Sequence, residues 1–520
     1  MPKIDAPAPL LPEILSLHGV WRKSKPAVIF GDRELTWGDF EARTNRVANG
    51  LIDLGLGKGD TVILLMENGF EMVDAMFGAI KAGAVVAPLN LSVSDDGIAA
   101  MIRDAGARAV IASRSQTARL RTILDRPAAP CPAHVIAVGG GPGMIDFADW
   151  CDQSSPRPPD VALADDDPCN IIYSSGTTGL PKGIVHTHRR RLDWAYDLTI
   201  ALRYHGGART ICPIGLYSNI SWVSMLCTLL AGGTLVVLPR FEPQAFFAAV
   251  ERHHVTHGSL VPIIFRELVE HDGAGAHDLS SLEALMSAGS PLYGWLKARA
   301  RAVLGCRVIE LYGLTEGVIT TLEPEDMDRK IESVGQPLVG TDLCILDADD
   351  RVAPAGATGE VVGRGRTLMP GYHNRAEATR EALWIDPQGR HWLRTGDIGK
   401  LDEDGFLYIV DRKKDMILSG GQNIYPADIE AVIVTHEGVK DAAVIGVKHV
   451  KWGEAPLALV VPANGTELDA AALKSWINQR VGKQQRVVDV ELVAELERNP
   501  NGKLPKVALR KTYANREYGG

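Results

Sequence analysis

Short apolar runs alternate with helical patterns along most of the chain, and this alternation restricts the fold more than any other feature. Trp37 to Leu54 and Phe70 to Ala82 repeat apolar residues at helical spacing, whereas Thr61–Leu65 and Val85–Pro88 are short, mostly apolar runs. Strands that alternate with helices usually form parallel sheets covered by those helices. The sequence therefore predicts an α/β fold, with stacked α/β subdomains in a large N-terminal domain. Further strands are predicted at Ala109–Ala112, Val135–Val138, Leu235–Leu238 and Gly258–Val261.

The pattern changes in the last third of the chain. From about Gly356 the sequence becomes rich in strands and turns, which predicts a β-rich subdomain, and a polar run follows at Asp411–Asp415. We expect an N-terminal domain over residues 1–411, a hinge over 412–414 and a small mobile α+β C-terminal domain over 415–520. In that last domain we predict strands at 442–447, 457–461 and 487–492 and a helix at about 470–481.

Composition excludes several classes of protein. Hydrophobic residues make up 46% of the 520 and charged residues 23%, which excludes a disordered chain, and the net charge of −9 disfavours a nucleic-acid partner. The longest apolar stretch, Trp222 to Leu238, is interrupted by glycines, so we expect no membrane span. Seven cysteines without a C-x-x-C pair and an N-terminus without an apolar core favour a cytoplasmic protein without a secretory signal. The sequence does not decide the oligomeric state, and a homodimer is one option.

A segment rich in glycines, hydroxyl groups and one lysine predicts a phosphate-binding loop between two strands. Its small residues let backbone N–H groups approach anionic oxygens, its hydroxyl groups add donors, and Lys182 adds positive charge. Pro181 before the lysine and Gly183 after it exclude a Walker A loop. The predicted phosphate contacts are Ser174, Ser175, Gly176, Thr177, Thr178, Gly179 and Lys182.

This segment, together with His186-Thr187-His188 after it, resembles the phosphate loop of the adenylate-forming (ANL) superfamily. The resemblance covers nearly the whole chain, from about Leu35 to Lys506, and favours the acyl-CoA synthetase or AMP-dependent acid–CoA ligase branch. Further motifs follow in the order of that family: Ser287–Leu292, Tyr312–Glu316, Gly359–Tyr372, Arg394–Asp397, Asp411–Arg412, Ser419–Pro426 and Asn499–Lys503.

The resemblance implies an ATP- and Mg²⁺-dependent enzyme that forms acyl-AMP with release of pyrophosphate and then transfers the acyl group to the thiol of CoA. Both reactants of the first step are anions, so the site must neutralise charge. Glu316 and Thr178 would ligate Mg²⁺, and Lys503 on the C-terminal domain would stabilise the carboxylate and the α-phosphate, so these three are the predicted catalytic residues. The implied nucleotide contacts are Gly289, Ser290, Pro291, Tyr312, Gly313, Thr315, Asp397 and Arg412.

The second half-reaction needs room for the thiol where Lys503 lies during the first. In the family the C-terminal domain rotates between the two steps, and Lys414 matches the position of its hinge. The resemblance therefore implies a CoA channel beside Gly420, Gly421 and Trp452.

The residues that would surround the acyl group are the least informative of the predicted site residues about the substrate. Leu216, Tyr217, Trp222, Val261 and Pro262 predict an apolar pocket for an aliphatic or aromatic acid, although core packing explains them equally well. Leu216 stands where many family members carry a histidine, and the absence of aspartate from 211–220 disfavours an α-amino acid. Three alternatives stay open: an acyl-AMP ligase that loads a carrier protein, an oxygenating luciferase-like enzyme, and a non-catalytic nucleotide-binding relative.

Three further clusters are better explained by ordinary structure than by function. We expect His253, His254 and His257 to lie at a solvated helix end, and Arg189–Arg191 at a solvated helix start rather than against a CoA phosphate. Gly139–Gly143 is expected to be a loop, because Met144 replaces the last glycine of a dinucleotide motif.

Overall fold

The computed structural model describes residues 8–174, 182–420, 422–463, 465–498, 504–514 and 516–518. Helices and strands alternate as predicted, and the α/β fold class is confirmed. Two short 3-10 helices span Arg114–Gln116 and Asp272–Ala276. The α-helices are α1 (Leu11–Trp21), α2 (Trp37–Asp53), α3 (Phe70–Lys81), α4 (Asp95–Asp104), α5 (Thr117–Leu124), α6 (Phe147–Gln153), α7 (His188–Ala201), α8 (Asn219–Ala231), α9 (Pro243–His253), α10 (Pro262–Glu270), α11 (Gly294–Leu304), α12 (Ala376–Glu381), α13 (Pro426–Ile433), α14 (Ala470–Asn478) and α15 (Lys506–Tyr513).

The strands form four sheets. The strands of the first 330 residues are β1 (Pro26–Phe30), β2 (Arg33–Thr36), β3 (Thr61–Leu65), β4 (Val85–Pro88), β5 (Ala109–Ala112), β6 (His134–Ala137), β7 (Ile145–Asp146), β8 (Pro168–Ser174), β9 (Lys182–Thr187), β10 (Arg209–Cys212), β11 (Thr234–Val237), β12 (His257–Leu260), β13 (Ala284–Ser287), β14 (Arg307–Gly313) and β15 (Ile319–Leu322). The remaining strands are β16 (Gln336–Pro337), β17 (Thr341–Leu346), β18 (Gly359–Gly365), β19 (Gly371–Tyr372), β20 (Leu383–Ile385), β21 (His391–Leu401), β22 (Leu407–Arg412), β23 (Ile417–Ser419), β24 (Gln422–Ile424), β25 (Val439–His449), β26 (Gly453–Pro462), β27 (Asp489–Leu492) and β28 (Glu517–Tyr518).

The chain forms two compact units. Unit 1 comprises residues 1–331, 337–342 and 364–393, and unit 2 comprises 332–336, 343–363 and 394–520. The chain passes between the units within β17, β18 and β21, which belong to a five-stranded sheet ordered β17-β18-β21-β20 with β22 beside β21. The predicted domains 1–411 and 415–520 and the predicted hinge at 412–414 remain predictions.

An eight-stranded sheet of unit 1 has the order β19-β9-β8-β4-β3-β5-β6-β7. β3 runs parallel to β4 and β5, and all residues of these three strands are buried. Continuous apolar strands are what a parallel sheet covered on both faces requires. β8 and β9 are antiparallel, with Ser174 opposite Lys182, so the two strands predicted around the phosphate loop are confirmed.

A nine-stranded sheet of unit 1 has the order β16-β15-β14-β13-β12-β10-β11-β1-β2. Its strands from β14 to β1 are parallel neighbours, connected by helices such as α8. α8 ends at Gly232, whose φ of 74° lies in the left-handed region that glycine adopts readily. The apolar stretch from Trp222 to Leu238 is therefore a helix followed by a strand, and the described part of the chain has no helix long and apolar enough to cross a membrane.

Unit 2 contains a six-stranded sheet ordered β24-β23-β26-β25-β28, with β27 parallel to β26. The antiparallel pair β25 and β26 supplies the centre of two cores. Val444 and Val460 pack with α13 and α14, whereas Leu457 and Leu459 pack in a second cluster that includes Tyr513 of α15. The strands and the helix predicted after residue 440 are confirmed, with shifted ends.

Candidate active site

Four of the predicted segments of unit 1 follow the carboxyl ends of neighbouring parallel strands. β10, β12, β13 and β14 lie side by side and run in the same direction. Because the carboxyl ends of parallel strands form one edge of a sheet, and ligands of open α/β sheets bind at that edge, these segments define the candidate site. Leu216 and Tyr217 follow β10, Val261 and Pro262 follow β12, Gly289–Pro291 follow β13, and Thr315 and Glu316 follow β14.

Ser174 and Lys182 are the phosphate-loop residues that the structure describes. Ser175, Gly176, Thr177, Thr178 and Gly179 lie outside the described residues. Lys182 Nζ lies 5.0 Å from the centre of the Tyr372 ring, a cation–π contact. β19 carries Tyr372 and pairs with β9, so the two side chains are held by adjacent strands.

Tyr372 also contacts the predicted metal ligand. Its hydroxyl donates a hydrogen bond to Glu316 Oε1 over 2.9 Å. Burial, together with the adjacent Glu316 carboxylate, raises the pKa of Tyr372, so its hydroxyl remains a donor at neutral pH. Tyr372 thus connects Lys182 with Glu316. The sequence showed Tyr372 within a family motif, but the strand pairing that gives it this role was not predictable from spacing.

The backbone around Glu316 is fixed by a tight turn between β14 and β15. The Glu316 carbonyl accepts from the N–H of Met369 over 2.8 Å, and Thr367 Oγ1 donates to the Gly317 carbonyl over 2.8 Å. Gly317 has a φ of 113°, and a Cβ there would lie 2.3 Å from the Thr367 carbonyl oxygen. Only glycine fits this approach, which positions the carboxylate that precedes it.

His186, in the motif after the phosphate loop, supports the same turn. It is buried, and its Nε2 lies 2.8 Å from the Thr315 carbonyl oxygen. Burial lowers the pKa of His186 well below its usual value, so the ring is neutral and Nε2–H is the donor. His186 therefore joins β9 to the turn that carries Thr315.

The turn predicted to contact adenine is held by a buried ion pair. Lys297 Nζ lies 2.6 Å from Glu310 Oε2, and Glu310 Oε1 accepts from the backbone N–H of Leu292 over 3.0 Å. Gly289 has a φ of 98°, in the region that favours glycine. Ser290 and Pro291 follow in this turn, while Tyr312 and Gly313 end β14, where Tyr312 is half-buried.

The predicted acyl-pocket residues divide into two groups. Leu216 and Trp222 are fully buried in one hydrophobic cluster, and the Leu216 N–H donates to Asn68 Oδ1 over 2.8 Å. Val261 and Pro262 are also buried and join β12 to α10. Tyr217 is partly exposed, and burial raises the pKa of its hydroxyl to about 12.

Two residues expected to be solvated are buried, and those expectations were wrong. Arg191 and His257 are each 1% exposed. Successive helical residues point about 100° apart, so Arg191 faces the core although the neighbouring arginines do not. α9 ends at His253, and His257 already belongs to strand β12.

Arg191 has no acidic partner in the part of the chain that the structure describes. Its guanidinium donates to Asn170 Oδ1 over 2.8 Å and to Asn219 Oδ1 over 3.0 Å. It lies between the rings of Trp194 and Trp222, at 4.9 and 4.8 Å from their centres. Burial lowers the pKa of Arg191 to about 9. This packing was not predictable from the sequence, because a run of three arginines usually marks a solvated surface.

In unit 2, two predicted nucleotide contacts form an ion pair. Asp397 on β21 and Arg412 on β22 are register partners, and Arg412 Nε lies 2.7 Å from Asp397 Oδ1. The Asp397 side chain is 2% exposed, and its backbone N–H donates to Thr395 Oγ1 over 3.0 Å. The pair fixes the carboxylate within β21, opposite the end of β22, and a fixed carboxylate is well suited to accept hydrogen bonds from vicinal hydroxyl groups.

The predicted hinge and channel residues also lie in unit 2. The Lys414 carbonyl accepts from Arg510 of α15 over 3.3 Å, which ties the last helix to the hinge segment. The Gly420 N–H donates to the Trp452 carbonyl over 2.8 Å, and a Cβ at Gly420 would lie 2.8 Å from the Trp452 ring. Gly420 and Trp452 are thus neighbours, while Gly421 and Lys503 lie outside the described residues.

Comparison with known proteins identifies the class. The family model "AMP-binding enzyme" matches residues 20–373, and the model "AMP-binding enzyme C-terminal domain" matches residues 428–503. The chain is 34% identical to long-chain-fatty-acid–CoA ligase FadD13 of Mycobacterium tuberculosis, over 93% of this chain and 94% of that protein. It is 33% identical to feruloyl-CoA synthase of an Amycolatopsis species, over 94% and 96% of the two chains.

A solved structure supports the same assignment. ATP-bound MatB from Rhodopseudomonas palustris superposes with a TM-score of 0.88 at 28% identity, covering 97% of this chain and 99% of that one. The chain therefore belongs to the AMP-binding enzyme family, the adenylate-forming superfamily that its motifs resemble. Within that family it is an AMP-forming acid–thiol ligase of the acyl-CoA synthetase type, with ATP and CoA as substrates.

Proposed function

We propose that this ligase activates an apolar aliphatic or aromatic carboxylic acid. In the first step a carboxylate oxygen attacks the α-phosphorus of ATP, and the bond to pyrophosphate breaks. In the second step the CoA thiolate attacks the acyl carbonyl carbon, and AMP leaves. The observation that carries the proposal is the buried apolar pair Leu216 and Trp222, which follows β10 at the same sheet edge as Glu316.

The preference for an apolar acid rests on the residues after β10. Leu216 offers no hydrogen-bonding side chain where many relatives carry histidine, and Trp222 adds a large aromatic surface. Among the contacts that the structure describes, Arg191 is the one charged group against Trp222, and its guanidinium packs on the tryptophan ring. A dicarboxylic acid would be favoured only if the Arg191 guanidinium, rather than the Trp222 ring, contacted the substrate.

Glu316 and Thr178 would hold Mg²⁺. The Glu316 carboxylate fits a hard cation, since it is a half-buried oxygen ligand oriented by Tyr372. When bound, Mg²⁺ neutralises charge on the phosphates. Ser174 and Lys182 would contact the same phosphates from the ends of β8 and β9, with Ser175 to Gly179 between them.

In unit 2 we assign Asp397 to bind the ribose hydroxyls. Arg412, next to the hinge segment, would contact the nucleotide. Lys503 would stabilise the carboxylate and α-phosphate during adenylation. A rotation at Lys414 would then bring Gly420, Gly421 and Trp452 to the thiol. We also propose a cytoplasmic location, supported by seven cysteines that are all free thiols.

Substitution of Lys503 tests the two-step scheme. We expect Lys503→Ala to lower the rate of acyl-AMP formation at least about 100-fold, because a charge opposite two anions is removed. Thioester formation from synthetic acyl-AMP and CoA should change less than about threefold. The matched control is Lys511→Ala, at an exposed lysine of α15, which should leave both rates unchanged. Equal loss of both half-reactions in Lys503→Ala would contradict the scheme.

A substrate panel tests the proposed acid. Purified enzyme is incubated with ATP, Mg²⁺, CoA and single acids: medium- and long-chain fatty acids, hydroxycinnamic acids, and matched dicarboxylic acids. Mass spectrometry then measures acyl-CoA and AMP. We expect the highest kcat/KM for monocarboxylic apolar acids. A preference for the dicarboxylic acids would contradict the proposal of an apolar acyl pocket. Accumulation of acyl-AMP in the presence of CoA would indicate that the acceptor is a carrier protein.

A further inference from the structure

A histidine–carboxylate cluster lies at the opposite edge of the nine-stranded sheet from the candidate active site. His257 is the first residue of β12, Glu283 immediately precedes β13, and His205 lies in the loop between α7 and β10. β12 and β13 are parallel, with His257 opposite Ala284, so His257 and Glu283 stand at adjacent amino ends. None of these residues takes part in the chemistry described above.

The cluster has the donor types and spacing of a metal site. One donor atom from each of the three residues lies within 4.8 Å of the others, and His205 Nε2 lies 3.2 Å from Glu283 Oε2. Tetrahedral zinc with bonds of about 2.1 Å holds its ligand atoms about 3.4 Å apart. The cluster would contract by about 1 Å, and the His205 and Glu283 side chains, 48% and 42% exposed, have room to move.

His257 can present the lone pair of Nε2 to a metal ion. Its Nδ1 lies 2.7 Å from Thr256 Oγ1, which itself donates to the Arg209 carbonyl and accepts from the Arg209 N–H. In the tautomer that carries the proton on Nδ1, His257 donates to Thr256 Oγ1 and its Nε2 is unprotonated. Nε2 is buried and has no hydrogen-bond partner within the described portion of the chain. Metal-binding histidines are oriented by this kind of outer hydrogen bond.

The ring of His257 is held in place by Tyr204, which stacks on it with ring centroids 4.5 Å apart.

His205 must change its hydrogen bonds on binding. Its Nδ1 accepts from the Gly207 N–H over 3.1 Å, so in the metal-free state Nε2 carries the proton directed at Glu283. With a metal at Nε2, the neutral ring carries its proton on Nδ1, so binding moves the proton from Nε2 to Nδ1 and releases the Gly207 amide. The Gly206–Gly207 backbone that follows gives the loop the freedom to do so.

We propose that His205, His257 and Glu283 bind a divalent transition-metal ion of the zinc class, with water completing the coordination. Two imidazoles and one carboxylate are a ligand set that zinc accepts. The ion would fasten the loop after α7 to the starts of β12 and β13. Its position at the amino ends of these strands, away from the carboxyl ends, makes it a stabilising ion rather than a participant in acyl transfer.

The test uses the full chain, treated with a chelator and free of ATP. Equilibrium dialysis measures Zn²⁺ binding, and Co²⁺ titration followed by visible absorption reports the coordination geometry. We expect one Zn²⁺ per chain and a Co²⁺ spectrum of low coordination number. Zn²⁺ should also raise the Tm of the protein, since it binds only the folded site.

Two exposed substitutions identify the ligands without disturbing the core. His205→Ala and Glu283→Gln should each weaken Zn²⁺ binding at least about tenfold and remove the Tm increase. His277→Ala is the matched control: His277 pairs with Glu251 at 2.8 Å, and this pair belongs to no three-ligand group among the residues described. The control should bind like the wild type. No zinc binding by the wild type, or undiminished binding by both ligand variants, would overturn the proposal, whether or not the ligase activity is confirmed.

Discussion

Tyr372→Phe tests whether the Glu316–Tyr372 contact matters for adenylation. The substitution removes one hydroxyl and keeps the ring that lies beneath Lys182. Glu316 then loses one of the groups that orient its carboxylate. If Glu316 binds Mg²⁺, the metal is held less rigidly against the phosphates, and the transition state of the first step is less stabilised.

The magnitude follows from the contact. A hydrogen bond to a charged group contributes about 1.5–3 kcal/mol when it is made in a protein. Glu316 is half-buried, so water replaces part of the lost interaction. We expect about 1.4 kcal/mol of lost transition-state stabilisation, which is about a tenfold fall in kcat/KM. Because the phenyl ring remains in place, the free energy of unfolding should fall only by the lost hydrogen bond, about 1–2 kcal/mol.

The assay is pyrophosphate release as a function of Mg²⁺ concentration, with the acid and ATP at fixed levels. Tyr372→Phe should show a higher Mg²⁺ requirement as well as a lower rate. Tyr408→Phe is the matched control, since it removes a tyrosine hydroxyl that donates to Asp402 over 3.2 Å in unit 2.

Three results would refute this reasoning. An unchanged kcat/KM and Mg²⁺ requirement in Tyr372→Phe would show that the hydroxyl does not orient the metal ligand. A loss confined to thioester formation from acyl-AMP would show that Tyr372 acts in the second step. Equal loss in Tyr408→Phe would show that the effect is not specific to the Glu316 contact.

Two further predictions concern stability. Arg191→Met should change the free energy of unfolding by less than about 2 kcal/mol, because relief from burying an unpaired charge offsets the lost hydrogen bonds to Asn170 and Asn219. Urea denaturation measures this free energy. A loss above about 4 kcal/mol would contradict the prediction. Burial lowers the pKa of His188 from 6.5 to about 4, so the unfolded chain binds a proton there that the folded chain does not. Stability should therefore fall from about pH 6.5 to pH 4, by about 1.4 kcal/mol per unit from this group. His188→Gln should remove that part of the pH dependence, and an unchanged slope would argue against a neutral buried His188.

Most secondary structure was predictable because its signals are local. β3, β4 and β5 begin and end as predicted, since each is a short, mostly apolar run with polar residues or glycine within two residues of its ends. α2 begins at Trp37 as predicted, where Thr36 caps it and accepts from the Asp39 N–H. β12 begins one residue earlier than expected, at a polar residue, because burial of His257 depends on Tyr204 and not on its sequence neighbours.

The sequence by itself determined the alternating fold class, the strand–loop–strand arrangement around Lys182 and the family, because each rests on residues close together in the chain. The tertiary structure decided which side chains meet. Tyr372 reaches Glu316 only because β19 pairs with β9, and His257 meets His205 and Glu283 only because β12 and β13 are neighbours in the nine-stranded sheet. Hydrogen bonds and burial act over a few ångströms in space, whereas the sequence orders residues along the chain, so contacts between distant segments depend on sheet order that local patterns do not encode.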